Sequence, residues 1–202
     1  MKRRPILTTL RATEIWTEML WFRRELYSDD KFFKMTDVWE TLCNDFEKWT
    51  MRTYRSNQLE DFKRKAGVVA LDDRVTLTAD EKLIANAKHG CKLSNFILAH
   101  ELGHLALDHH ARGAVVKNFQ LFSGANGMCN VPPTLEELET NYAAVFFQCG
   151  AALEDTCWSP IQLAHRAFSD VEYVKKAQAV VRLDVFQREL RRPKPKRERV
   201  IL

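Results

Sequence analysis

The stretch NFILAHELGHLALDHH, residues 95–110, constrains the fold more than any other part of the chain. Phe96, Ile97, Leu98, Ala99, Leu102, Leu105, Ala106 and Leu107 make a helix here apolar around most of its circumference. A helix of that kind has to be buried. Yet the stretch also holds four of the chain's six histidines and a glutamate. Imidazoles and a carboxylate are costly to bury unpaired, so the rest of the fold must bring partners to them. Two readings compete: a core helix whose histidines are hydrogen-bonded, and a metal site built on a helix.

The spacing favours metal. Residues four apart share one helical face, about 6 Å apart along the axis, so His100 and His104 can each direct a ring nitrogen at one ion. Glu101 lies about 100° further round, within reach of a water on that ion. This is the HExxH arrangement of zinc peptidases, in which the ion acidifies the water and the carboxylate takes its proton. Gly103 costs helix stability but lets another backbone or a substrate come close.

A third ligand is required, and several residues compete for the place. His110 follows His100 by ten residues, as in HExxHxxGxxH proteins, but Leu107 stands where that pattern needs a turning glycine. His109 and His110 are expected at the exposed helix end, where imidazolium suits the dipole. Asp108 would face away from the pair if the helix continued. A glutamate on another helix remains, which directs attention to TLEELETNYAAVFF, residues 134–147. Glu137 and Asn141 share a face there, so Glu137 could bind the ion while Asn141 holds a ligand histidine from behind. Against this, Thr134 and Glu137 also fit a capping box, which would turn the glutamate back to the helix start. Glu136 and Glu139 are the fallback ligands.

The remaining sequence sets the context. With 202 residues, 46% of them hydrophobic, the chain is long enough for one sizeable core around such a helix. The first 65 residues read as helical: one helix over about 9–27, and another in which Val38, Leu42, Phe46 and Trp49 fall a turn apart after an Asp37–Glu40 capping box. GVVALDDRVTLT, residues 67–78, reads as a hairpin turning at Asp72-Asp73. Thr78 and Glu81 are placed to cap a helix over about 79–89, ended by Gly90. A long connection, 111–133, leads to a helix from Thr134 to Cys149 ended by Gly150. Ser159-Pro160 opens a short helix, and Ser169 with Glu172 caps a last one reaching about 190. The expected fold is therefore a mostly helical α+β domain, with a small sheet or hairpin beside the metal-site helix. Residues 1–65 form a helical region packed on the core, 66–190 the catalytic domain, and 191–202 a basic tail.

These segments resemble the ImmA/IrrE family of metallopeptidases. Its members show a hairpin, then a motif like TLAHELGHLLLH, then ExxANxFAAxLLMP. NFILAHELGHLALDH matches the first motif closely; Glu137, Asn141 and Ala144 match the second. The chain departs at Thr140 (usually alanine), Ala143 (phenylalanine), Gln148 (leucine) and Gly150 (proline), beside the ligand positions rather than at them. The likeness covers about residues 67–150. It implies a zincin-like domain in which His100, His104 and Glu137 bind one Zn2+ and Glu101 serves as general base. It also implies a protein substrate, commonly a DNA-binding transcriptional repressor. The alternative is a metal-bound module that inactivates its partner by binding without cleavage.

Composition narrows the setting. Five scattered cysteines without a CxxC pair suit reduced thiols, and MKRRPILTTLRATE has no apolar run of the kind a signal peptide carries. No membrane partner is expected, and the expected location is cytoplasmic. RRPKPKRERV, residues 191–200, reads as a solvated, disordered basic tail able to touch nucleic acid only weakly.

Overall fold

The computed structural model of the protein describes residues 6–28, 31–55, 66–71, 74–109, 117–118 and 134–192. The Asp72-Asp73 turn, His110, most of the 111–133 connection and the tail beyond residue 192 lie outside the described residues.

Two helices form the centre. Helix α4 (Lys92–Ala106) is buried from Ser94 through Leu105, as its all-round apolar sequence requires. Helix α5 (Leu135–Cys149) is buried continuously from Ala143 to Cys149 and packs against α4 on one side. Gly103 makes the close approach possible: a Cβ there would lie 3.0 Å from Thr140 Cγ2 and 3.3 Å from Ala143 Cβ.

Helix α1 (Thr9–Leu26) covers another side of α5. Thr8 caps it through the Arg11 amide, and Ala12, Ile15, Trp16 and Met19 form the buried face expected of helical spacing. Trp16 meets Phe146 edge-on at 5.0 Å between ring centres. Further along, the guanidinium of Arg23 is buried and donates to the Phe147 and Gln148 carbonyls at 2.6 and 3.0 Å. Those carbonyls belong to the last turn of α5, whose helix cannot supply partners for them. Gly150 then leaves the helix at φ 56, where a Cβ would lie 2.6 Å from Arg23 Nε.

The sheet lies against the other face of α4. Its strands β1 (Trp49–Tyr54), β2 (Ala66–Leu71), β3 (Arg74–Asp80) and β4 (Lys117–Asn118) stand in the order β1-β3-β2-β4. The expected hairpin is present: β2 and β3 are antiparallel, with Val68 opposite Leu77 and Leu71 opposite Arg74. Strand β1 corrects the reading of residues 1–65 as helical. It pairs in parallel with β3, Met51 opposite Leu77. Helix α2 (Met35–Asp45) accordingly stops short of Phe46, which is exposed, and of Trp49, which begins the strand. It starts after Lys34 rather than at the Asp37–Glu40 box. Asn95 fixes its place: the Asn95 Oδ1 accepts from the Met35 amide at 2.7 Å.

Two other caps differ from expectation. Helix α3 (Glu81–Lys88) is capped by Asp80, through the Lys82 amide at 2.7 Å, because Thr78 is committed to β3. Helix α6 (Pro160–Arg166) has the Ser159 cap, with Gln162 completing the box. The expected last helix is two, α7 (Val171–Val181) and α8 (Asp184–Arg191), and its cap is Asp170, while Ser169 is buried. The chain is mostly helical with a small sheet, an α+β arrangement in which α1, β1 and α4 share one hydrophobic core. Among the described residues no helix is long and apolar enough to cross a membrane.

Candidate metal centre

Where α4 crosses α5, three side chains converge. His100 Nε2 and His104 Nε2 lie 3.0 Å apart. Glu137 Oε2 is 3.1 Å from the first, and Glu137 Oε1 is 3.6 Å from the second. Three ligands held about 2.1 Å from one tetrahedral ion would be about 3.4 Å from each other. The donor set is thus spaced as coordination requires.

Hydrogen bonding gives the same result. His100 Nδ1 lies 3.0 Å from Asn141 Oδ1 and donates to it, leaving the Nε2 of a neutral ring with a lone pair. That lone pair points toward a carboxylate oxygen and a second imidazole nitrogen, an arrangement that a cation between them makes favourable. Both histidines are buried, whereas the Glu137 side chain keeps 28% of its exposure among the described residues.

Glu137 combines two roles treated as alternatives in the sequence. Its backbone amide donates to Thr134 Oγ1 at 3.2 Å, one half of a capping box. Its carboxylate turns toward the histidines instead of back to the cap. Glu136 and Glu139 do not join the group. Asp108 is exposed at φ 52, past the end of α4.

Glu101 occupies a distinct environment. It is fully buried, and its Oε2 accepts from the Val68 amide of β2 at 3.0 Å. Its Oε1 has no hydrogen-bond partner among the described residues. Burial pushes the carboxyl up to about 8, the nearby Glu137 carboxylate adds to this, and the Val68 bond opposes it. A carboxyl so placed binds its proton more tightly than a free one does, and a positive charge nearby would oppose this.

His109 contradicts the expectation of an exposed helix end. Asp108 takes a left-handed conformation directly after α4 and the chain turns inward, so His109 is buried with no exposure. Its Nδ1 lies 3.1 Å from His104 Nδ1 and its Nε2 3.4 Å from Glu139 Oε2. Glu139 in turn accepts from Arg11 of α1 at 2.8 Å. Burial disfavours the Glu139 carboxylate, but Arg11 and His109 outweigh this and hold the group below its ordinary range. Sequence reasoning also missed Tyr173 on α7. It stacks on Phe96 with ring centres 5.2 Å apart and hydrogen-bonds Asn141. Tyr173 carries no local signal, since it reaches the centre only through tertiary packing.

Compared with known proteins, the chain matches no family model, and no curated protein matches it either.

Proposed function

We propose that the protein is a zinc-dependent endopeptidase of the ImmA/IrrE kind, cutting a specific protein in the cytoplasm. One observation carries the reading: two buried histidines and a half-exposed glutamate meet at coordination spacing, with Glu101 next to the first histidine. Two nitrogen donors and one carboxylate suit zinc, and a fourth position open to water and substrate is what distinguishes catalytic from structural sites. Bound there by His100, His104 and Glu137, the ion would supply Lewis acidity to a water and a carbonyl oxygen.

The chain's own residues supply the rest. Val68 anchors Glu101 through Oε2, which leaves Oε1 as the atom to take a proton from the attacking water and pass it to the departing amine. Asn141 fixes the tautomer of His100, so that Nε2 faces the ion. The resemblance of residues 67–150 to the family supports a DNA-binding repressor as the substrate.

The test uses a peptide library prepared from a whole proteome, incubated with the zinc-loaded protein and analysed for new N-termini by mass spectrometry. The parent should create a defined set, and Glu101→Gln should create none while binding zinc equally. Equal cleavage by Glu101→Gln would contradict the assigned base. A partner released equally well by both proteins, with no new termini, would point to inactivation by binding alone.

A further inference from the structure

Behind His104 lies a chain of polar groups that the hydrolytic reading does not use. Starting at the ligand, it runs His104 Nδ1 to His109 Nδ1 at 3.1 Å, His109 Nε2 to Glu139 Oε2 at 3.4 Å, and Glu139 Oε2 to Arg11 Nη2 at 2.8 Å. His104, His109 and Glu139 are all buried, and they come from α4, from the turn after it and from α5. Arg11 brings in α1, on residues distant in sequence from both motifs.

With neutral rings and an ion on His104 Nε2, the donors and acceptors have one consistent arrangement. Thr140 Oγ1 donates to the Glu136 carbonyl at 2.8 Å, so toward the two rings, 3.3 and 3.2 Å away, it can only accept. At least one Nδ1 therefore carries a hydrogen. If His104 uses Nε2 for the ion, its hydrogen is on Nδ1, which then donates to His109 Nδ1 and to Thr140. His109 must in turn carry its hydrogen on Nε2, facing Glu139. Arg11, which has donors alone, completes the sequence on Glu139.

We propose that His109, Glu139 and Arg11 are positioning residues for the metal. They hold His104 in the ligand tautomer and orientation, and so tie metal retention to the docking of α1. This inference rests on the metal reading of His100, His104 and Glu137. His104 gains an imidazole acceptor where His100 has the Asn141 amide, so each ligand histidine is held by its own partner. Partners of this kind are commonly worth 10–100-fold in metal affinity.

The experiment compares His109→Asn with His109→Phe in the full-length protein. Asparagine places an amide oxygen near the position of the imidazole Nδ1, restoring an acceptor for His104, but leaves a void. Phenylalanine fills the space but accepts nothing. Zinc dissociation constants are measured by competition with a chromophoric chelator, and urea midpoints are measured on the metal-free proteins. The proposal predicts affinity in the order parent, His109→Asn, His109→Phe, with the last weakened about 10–100-fold. Glu139→Leu should weaken binding too, and add little when combined with His109→Phe, because the chain is already cut. A space-filling role for His109 predicts the reverse order of the two variants. Parent-like affinity in His109→Phe, or that reversed order, would overturn the relay while leaving the metal site intact. Absence of zinc binding by the parent would overturn both the relay and the reading beneath it.

Discussion

At Glu101 the fold keeps a carboxyl fully buried, with one oxygen on the Val68 amide and the other without a partner among the described residues. The consequence for stability has a definite sign. With no ion bound, burial pushes the folded group up to about 8 from an ordinary 4.5, so the folded state holds the proton more tightly. The stabilising contribution is complete below the ordinary value, declines as pH rises through the interval, and is gone above the folded one. Replacing Glu101 by Gln removes the charge but keeps an oxygen for Val68. Urea denaturation in the presence of a chelator should find parent and variant similar near pH 4.5. Near pH 8.5 the variant should be the more stable by on the order of 2–4 kcal/mol. A difference independent of pH would contradict this account of the buried carboxyl.

Among the elements, α5 is defined at both ends by side chains that recur in the argument. Its start is capped by Thr134, and its end is closed by Arg23 and the turn at Gly150. Gly150→Ala would force a Cβ into the left-handed region and onto Arg23 Nε, 2.6 Å away. The expected loss is about 2–4 kcal/mol, from backbone strain together with displacement of the guanidinium. A urea midpoint equal to that of the parent would show that Arg23 is not needed where it stands. The elements also show why some of this was legible and some was not. Helix α4 and the β2–β3 hairpin announce themselves by local pattern, all-round apolarity in one case and two β-prone runs about a short turn in the other. Strand β1 does not, because Val38, Leu42, Phe46 and Trp49 keep a helical spacing past the true end of α2. Only the parallel pairing with β3, distant in sequence, decides that Trp49–Tyr54 is extended. His109 departs from the sequence expectation for a related reason: helix-end electrostatics favour an outward position, while a left-handed Asp108 and the acceptors on α5 turn it inward.

For the molecule as a whole, the candidate metal site joins parts of the chain that local structure leaves separate. His100 and His104 come from α4, Glu137 and Asn141 from α5, and the contacts behind them extend to α1 and α7. An ion held by both central helices favours the folded state by an amount that grows with its concentration, about 2.7 kcal/mol at 100 times the dissociation constant. Zinc added to chelator-stripped protein should raise the thermal midpoint, and the rise should vanish in Glu137→Ala. An equal rise in that variant would place the ion elsewhere. The most direct test of the central claim is metal content: purified, zinc-reconstituted parent and Glu137→Ala protein, analysed by plasma mass spectrometry after removal of free ion. About one zinc per chain in the parent and well under half of that in the variant is the predicted result. A parent that retains no zinc, or a variant that retains as much as the parent, would contradict it.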